Sequence, residues 1–297
     1  MTRQQIRGYL FVIASAIIFG CMPLGAKFIY SNGVNSISLV FYRNLLALPI
    51  TLLIVKRGGE SLAVSQNDFL RLLILSLLGC ALTPALMFSA YHYISSGLTT
   101  TLHFIYPAAV ILGETLFFKE KLHFRQAFCV GLCLLGMSLF YSPGGGINFL
   151  GILLALLSGI TYAAYIVLLS RFQLEHISGF KFTLYLSALC SMSLAVVCVP
   201  TKSFTLPNNP TGWLACFAFS LILSLGAVVL FRQGTMLIGG QRASILSTFE
   251  PITSIFIGIS LFHEPFGWRT AAGTLLILAA TILIAVFDSK KTSAEAA

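Results

Sequence analysis

The sequence predicts an all-α membrane protein of ten transmembrane helices, arranged as two five-helix repeats of opposite orientation. Hydrophobic residues make up 57% of the 297 residues and charged residues only 9%, which leaves too little polar surface to cover a water-soluble particle. Ten apolar stretches approach the roughly 20 residues that cross the hydrocarbon core of a bilayer. The two halves of the chain also match each other when the sequence is shifted by 144 positions.

The ten predicted spans alternate with short polar connections. The first begins soon after Met1 and lacks an Ala-x-Ala-like cleavage site, so we expect it to stay as a span rather than be removed as a signal peptide. The predicted spans are Gly8 to Tyr30, Ile37 to Val55, Phe69 to Tyr91, Gly97 to Phe118, Phe124 to Tyr141, Phe149 to Ser170, Phe180 to Val199, Trp213 to Phe231, Ala243 to Phe262, and Trp268 to Phe287.

The basic residues indicate how the spans are oriented. With both termini in the cytoplasm, the even-numbered connections and the termini hold 14 of the 18 Lys and Arg residues. Only Lys27, Arg43, Lys202 and Arg269 lie at or near the other face. This asymmetry follows the positive-inside rule, and it predicts a multi-pass protein of the cell membrane with cytoplasmic N- and C-termini.

The internal repeat is carried by residues that are uncommon in an apolar sequence. The 144-residue shift places Pro107 on Pro251 and Glu120 on Glu264, in and after the fourth and ninth spans. We therefore predict a first repeat over residues 1–144, a second over 145–288 and a cytoplasmic tail over 289–297. Five spans per repeat force the second repeat to enter the membrane from the opposite side, which is an arrangement found in secondary carriers.

These motifs resemble the EamA-type repeats of the drug/metabolite transporter superfamily. The residues that carry the resemblance are Phe117-Phe118-Lys119-Glu120-Lys121 followed by Arg125, Leu261-Phe262-His263-Glu264-Pro265 followed by Arg269, and the Glu250-Pro251 pair. The first half has Tyr106-Pro107 in place of the Glu-Pro pair. The resemblance covers nearly the whole chain and implies ten helices around a central cavity, with substrates in that family ranging from amino acids to sugars and drugs.

Ionisable residues inside the spans are the first candidates for function, because an unpaired charge in the bilayer is costly. Glu250 could bind a proton or an amine, or it could stabilise the bend at Pro251. Arg43 could bind a substrate carboxylate, pair with Glu250, or extend to the interface. Glu114, near the end of its span, could take part in charge coupling or contact Lys119 and lipid headgroups.

Polar residues form matching stripes on the fourth and ninth spans. Thr100, His103 and Pro107 lie on one face of the predicted fourth helix, and the 144-residue shift maps them onto Ser244, Ser247 and Pro251. These stripes predict two walls of a water-accessible cavity, with ordinary hydrogen bonding between helices as the alternative. His103 could be a proton relay or a structural hydrogen-bonding group.

Aromatic residues could complete a binding cavity by stacking on a planar or amphipathic substrate. Five of them would border the cavity if the chain follows the arrangement of the resembling family, namely Phe19, Tyr91, Tyr106, Tyr162 and Tyr165. In a sequence that is 12% aromatic, chance could place some of them there.

The function predicted from the sequence is secondary-active transport of small metabolites or amphipathic, toxic compounds, with export and alternating access expected. We expect no cofactor, no metal and no nucleic acid as a partner, protons as a candidate coupling ion, and a monomer in the lipid bilayer. A membrane-embedded enzyme is the first alternative, but neither H-E-x-x-H nor G-x-S-x-G occurs. A non-transporting membrane scaffold is the second.

Overall fold

The computed structural model describes residues 3–139 and 148–295, without the side chains at positions 240, 241, 244 and 287–295. All of its regular elements in these ranges are helical. They are α1 (Arg3–Ser31), α2 (Ser36–Arg57), α3 (Gln66–Ala90), α4a (Ser96–His103), α4b (Tyr106–Phe118), α5 (Phe124–Ser138), α6 (Phe149–Arg171), α7 (Gly179–Cys198), α8 (Pro210–Ile238), α9a (Gly240–Leu246), α9b (Phe249–Phe262) and α10 (Trp268–Glu295).

These helices confirm the predicted all-α membrane fold. In the described ranges, eight helices are long and apolar enough to cross a bilayer, and α5 and α9b are shorter apolar helices. The predicted end of the fifth span at Tyr141 and the predicted repeat boundary at residue 144 lie outside the described residues. The boundaries of the two predicted repeats therefore stay a prediction.

The outer surface of the bundle is apolar, whereas its helix contacts contain small hydroxyl residues. Phe124 is 86% exposed and Trp268 is 73% exposed, as expected for side chains that contact lipid. Inside, Ser76 Oγ donates a hydrogen bond to the carbonyl of Leu186 at 2.7 Å, which joins α3 to α7. Such bonds and small side chains hold helices together in lipid. The hydrophobic effect does not drive this association, because lipid tails are as apolar as the helix surfaces.

Local features of the helices recur in the two halves at the spacing of the sequence repeat. Side-chain caps begin α2, α3, α7 and α8, and a π-helical segment interrupts both α3 and α8. In each cap a side-chain oxygen accepts a hydrogen bond from a backbone N–H. The first corresponding pair is Asn35 with Ser38 N and Ser178 with Lys181 N, and the second is Ser65 with Asp68 N and Asn209 with Gly212 N. The π-helical segments are Ser76–Leu82 and Ile222–Ala227.

The fourth and ninth helices are both broken just before their prolines. Phe104 and Ile105 form a turn between α4a and α4b, and Ser247 and Thr248 form the matching turn between α9a and α9b. Proline cannot supply the N–H that a continuing helix needs. Thr100 and His103 therefore lie before the break in the fourth helix and Pro107 lies after it, so each predicted polar stripe crosses a break.

The connections between helices gather at two ends of the bundle. At the first, here called the odd end, Asn208 N donates to Asn32 O at 2.9 Å, Ser36 Oγ lies 3.1 Å from His92 Nε2, and Lys27 pairs with Glu264. These contacts join the connections that follow α1, α3, α7 and α9b. At the second, the even end, Arg71 Nη1 donates to Phe172 O at 2.9 Å and Arg171 pairs with Glu120. The even end therefore holds the connections after α2, α4b and α6.

The two halves interleave instead of forming separate lobes. Helix α1 packs on α8 and α9b, and its counterpart α6 packs on α3, α4a and α4b; α2 contacts α7, and α5 contacts α10. One contact is not matched by its counterpart. Helix α4a packs against α9b along the odd end, whereas α9a packs mainly on α8, α10 and α1 and hardly against α4b. The bundle is thus closed more tightly at the odd end than at the even end.

Candidate functional site

Two oppositely charged side chains, Arg43 and Glu250, face the interior of the bundle. Glu250 is the second residue of α9b, directly after the break. Helix α1 comes very close at this level, because a Cβ added to Gly20 would lie 2.6 Å from the carbonyl oxygen of Glu250. Arg43 lies on α2, where its carbonyl accepts a 2.6 Å hydrogen bond from Ser220 Oγ of α8. Each charge is therefore positioned by a helix of the other half.

These two charges are enclosed by protein but not sealed from water. Both side chains lie deep in the bundle, yet each keeps part of its surface accessible to water-sized molecules. They are near enough to interact electrostatically, but neither has an ion-pair partner within 4 Å among the described residues. Two opposite charges without an ion-pair partner within 4 Å thus lie deep in the bundle, each with part of its surface accessible.

A group of aromatic rings lies close to these two charges. The Tyr106 and Tyr162 rings meet edge to face with centroids 4.9 Å apart, and Tyr162 stacks on Tyr165 at 5.7 Å. All three rings are half-buried, and Glu250 acts electrostatically on Tyr106 and Tyr162. Tyr165 rests against Gly79 in the π-helical segment of α3, where an added Cβ would lie 2.5 Å from its ring. We define Arg43, Glu250 and these three tyrosines as the central site.

Thr100 and His103 take part in hydrogen bonds between helices, and the His103 ring also lies 5.3 Å from that of Tyr162. Ser158 Oγ donates to Ala155 O at 2.6 Å, so it must accept the 3.0 Å bond from His103, whose Nδ1 therefore carries a proton. Thr100 Oγ1 donates to Ser96 O and in turn accepts a 3.0 Å bond from Ser254 Oγ. Both residues are almost fully buried. Their contacts favour the alternative interpretation given above, hydrogen bonding between helices.

A substitution at His103 tests its role directly. We expect His103→Asn to transport at a rate within about threefold of wild type, because the Asn amide can replace Nδ1 as the donor to Ser158. His103→Leu is expected to lose roughly 1 kcal/mol of stability by leaving Ser158 with one bond fewer. Thermal unfolding in detergent and uptake into proteoliposomes under a pH gradient would measure the two effects. A loss of gradient dependence in His103→Asn would instead indicate a proton relay.

The remaining predicted residues lie at different depths around the central site. The hydroxyl of Tyr106 interacts with Ser247 at the break of the ninth helix, while Pro107 is half-buried and Pro251 buried. Phe19 packs on the apolar core between α1, α2, α3, α7 and α8, and Glu114 is half-buried near the end of α4b. The side chain of Ser244 lies outside the described part of the structure.

Tyr91 lies between the central site and the odd end. Its hydroxyl is buried and has no hydrogen-bond partner among the described residues. A recess of about 530 Å³ begins beside it and is lined by Tyr91, His92, Tyr93, Ile94, Ser95, Leu98, Glu264, Pro265, Gly267 and Thr270. Burial lowers the pKa of His92 in this connection, which keeps its imidazole neutral at pH 7.

Several contacts of the site were not predicted from the sequence. Cys80 and Cys190 lie near Arg43. Lys27, placed near the outer face by the sequence, forms an ion pair with Glu264 at 2.5 Å. A signal for this pair was present, because the 144-residue shift that relates Glu120 to Glu264 also relates Arg171 to Lys27.

Eight bilayer-length helices and two shorter apolar ones, in two matching halves with an enclosed polar site between them, define a polytopic membrane transporter. The model of the EamA-like transporter family matches residues 6–142 and again residues 149–286. The chain therefore belongs to the EamA-like transporter family, with one repeat of that family in each half. The resemblance found in the sequence is confirmed.

Similar proteins agree with this assignment. The chain is 25% identical over 279 residues to the uncharacterized transporter YcbK of Bacillus subtilis, covering 89% of this chain and 88% of the relative. It is 26% identical to the uncharacterized inner membrane transporter YicL of Salmonella typhimurium, covering 98% of each. The UDP-xylose transporter 3 of Arabidopsis thaliana is 24% identical over 65% of this chain and 56% of the relative. A crystal structure with 17% identity shares the fold with a TM-score of 0.61 and covers 95% of this chain and 98% of its own.

Proposed function

We propose that the protein is a secondary-active carrier that moves small molecules bearing both a cationic and an anionic group, by alternating access and in the outward direction. The observation that carries this proposal is the pair of unpaired opposite charges, Arg43 and Glu250, in the enclosed central site. Each charge can gain an opposite partner from such a substrate. The tyrosine wall would cover the apolar part of the same molecule.

Neither Arg43 nor Glu250 has a charged counterpart in the other half, which supports a role in recognising an asymmetric molecule. The position equivalent to Glu250 in the first half is Tyr106. Arg43 corresponds to Leu186 in the second half, at the spacing that relates the caps Asn35 and Ser178. Structural features such as the helix caps and the helix breaks are shared by both halves. The residues that allow the helices to move must be present in both halves. Residues that bind an asymmetric substrate in one orientation are needed in only one half.

Alternating access is supported by the direction of the helices. Helix α1 ends at the odd end, next to Asn32, whereas its counterpart α6 ends at the even end, at Arg171. Repeats that run in opposite directions can exchange conformations and open a shared site to either face. The breaks before Pro107 and Pro251 provide flexible points at which α4 and α9 could bend.

The positive-inside pattern supports a cytoplasmic even end and cytoplasmic termini. The relative YicL, which is named an inner membrane transporter, supports an inner-membrane location for this chain too. We propose a monomer in the bilayer that needs no cofactor, catalyses no reaction and uses protons as its coupling ion. In the predicted orientation, the structure would represent a conformation closed toward the outside and looser toward the cytoplasm.

Counterflow in proteoliposomes tests the proposal. Vesicles loaded with unlabelled candidate substrate should transiently concentrate trace labelled substrate, without ATP and without an ion gradient, because a carrier exchanges one molecule for another. Ligand-dependent thermal stabilisation would select the substrate from amino acids, nucleotide sugars, nucleosides and quaternary amines. A zwitterion is expected to stabilise the protein most. Steady equilibration without an overshoot would indicate a channel, and no movement of any stabilising ligand would indicate a scaffold.

A further inference from the structure

The odd end is closed by a cluster of three side chains contributed by both halves. Lys27 Nζ, on α1, lies 2.5 Å from Glu264 Oε1 and 3.9 Å from the centre of the Phe262 ring. Glu264 also accepts hydrogen bonds from Ser96 N at 3.0 Å and from Ser96 Oγ at 2.9 Å. A carboxylate from the second half thus holds both the end of α1 and the start of α4a, which belong to the first half. We call Lys27, Phe262 and Glu264 the odd-end trio.

The same cluster is present at the even end, at positions shifted by 144. Arg171 Nη2 lies 2.8 Å from Glu120 Oε1, and the Arg171 guanidinium lies 4.4 Å from the centre of the Phe118 ring. The turn between ring and carboxylate is left-handed in both clusters, with φ of 56° at Lys119 and 51° at His263. We call Arg171, Phe118 and Glu120 the even-end trio. A cation, an aromatic ring and a carboxylate therefore occur in the same arrangement at both ends of the bundle.

The two trios differ in what else their carboxylates hold. Glu264 is 11% exposed and binds Ser96, whereas Glu120 is 44% exposed and accepts no bond other than that from Arg171 among the described residues. Around the odd-end trio the helices are in close contact. A Cβ added to Gly97 of α4a would lie 2.6 Å from Ile255 of α9b, and Thr100 bonds to Ser254. In the described part of the structure, Glu264 thus holds the start of another helix in addition to its cation, whereas Glu120 holds only its cation.

Room for the engaged carboxylate comes from a glycine that the other end lacks. Any Cβ at Gly258 would collide with the Glu264 carboxylate. In the sequence repeat Gly258 corresponds to a larger residue, Glu114. Ser96 corresponds to Gly240, which has no hydroxyl to donate. A closed even end would therefore be held less firmly than the closed odd end.

From this pattern we propose that the two trios are reciprocal latches of the transport cycle, a proposal that rests on the alternating-access function above. Glu264, held in place by Lys27, captures the start of α4a and keeps the odd end shut. Glu120, held in place by Arg171, closes the even end when the odd end opens. Because the even-end latch lacks the hydroxyl of Ser96 and the glycine at position 258, the conformation closed at the odd end is the resting one.

A cysteine placed behind the odd-end latch would report its opening. Ser254→Cys introduces a thiol of similar size at a fully buried position on α9b, and a membrane-impermeant maleimide would be applied from the predicted external face. In this background, Glu264→Gln and Lys27→Met should each raise the labelling rate roughly tenfold or more, as expected when hydrogen bonds to a charged group are lost. Labelling of the chain that keeps Ser254 corrects for the native cysteines.

The reciprocal latch makes a prediction that simple destabilisation does not. Glu120→Gln and Arg171→Met should lower the labelling rate of the introduced thiol at least severalfold, because they weaken the closed even end. Glu264→Gln combined with Glu120→Gln should return toward the rate of Ser254→Cys alone. Glu175→Gln, which removes an exposed carboxylate from the connection after α6, is the matched control and should change nothing.

Several outcomes would overturn the latches. They are no increase in Glu264→Gln, an increase in Glu120→Gln, or the same changes in Glu175→Gln. Thermal unfolding of each variant separates latch opening from misfolding, because an opened latch leaves a cooperative transition. Since labelling needs no substrate, a negative result leaves the counterflow test intact. Conversely, absent counterflow with reciprocal labelling would reject the substrate class but keep the latches.

Discussion

Replacing Arg43 with Gln is expected to reduce transport by about two orders of magnitude while leaving the protein as stable as wild type or more so. The guanidinium lies deep in the bundle, has no ion-pair partner within 4 Å among the described residues and interacts electrostatically with Glu250. A substrate anion that loses this partner should bind more weakly by roughly 2 to 4 kcal/mol. Removing a buried charge that has no ion-pair partner within 4 Å among the described residues relieves its desolvation, which offsets the lost attraction to Glu250. Counterflow kinetics and thermal unfolding measure the two effects.

Two further variants make the Arg43 result specific. Arg43→Lys keeps the charge but loses the planar, two-pronged donor geometry, so we expect an intermediate loss of substrate affinity. Arg57→Gln removes an exposed charge from the end of the same helix and should behave as wild type. If Arg43→Gln unfolded at a much lower temperature, the guanidinium would be structural. If its counterflow kinetics were unchanged, the central site would not bind the substrate through Arg43.

The fold could be predicted from sequence because it depends on features that are local along the chain. Apolar runs of bilayer length define the ten helices, and repeated residues such as Glu120 and Glu264 define the two halves. The sequence indicates a bend at Pro251, but not which residues form the turn, because a proline permits a bend and neighbouring helices decide where the turn forms. The caps at Asn35 and Ser178 follow ordinary capping chemistry.

The site was predictable only in part, because its contacts join residues that are far apart in sequence. Arg43 and Glu250 could be identified, since a charge inside an apolar span is conspicuous by itself. The partners of Thr100 and His103, which are Ser254 and Ser158, could not be identified, because a hydroxyl in one helix pairs with whichever helix packs against it. Polar residues in a span thus mark either a cavity or a contact, and only tertiary structure separates the two.

Whether a polar residue is repeated in the other half indicates its function better than its residue type does. Lys27 and Arg171 are matched across the repeat and lie in matched trios, so they belong to the parts that both ends need. Arg43 and Glu250 have no charged counterpart in the other half and lie in the central site. We interpret matched polar residues as mechanical and unmatched ones as substrate-binding. The two classes should respond differently to substitution, in conformational equilibrium and in substrate affinity respectively.

Glu250→Gln is expected to separate substrate exchange from proton coupling. The carboxylate faces Arg43 from α2, Tyr106 from α4b, Tyr162 from α6 and Tyr91 beside α3. It is the only carboxylate among these groups, so it is the site at which a proton and a substrate amine would compete. With one proton exchanged per substrate, a pH difference of one unit should sustain roughly a tenfold substrate gradient in wild type. The glutamine cannot exchange a proton, so its gradient should fall to about one.

Acid on the side toward which substrate moves would strengthen transport in wild type, because a proton taken up there displaces the amine from Glu250 and returns the carrier. Glu250→Gln should lose this response but still show counterflow, at a higher KM because the amine has lost its charged partner. Glu175→Gln, exposed and far from the central site, should keep the wild-type response. An unchanged gradient in Glu250→Gln would exclude Glu250 as the coupling group. Loss of counterflow together with the gradient would instead assign it to substrate binding alone, which is why both must be measured in the same vesicles.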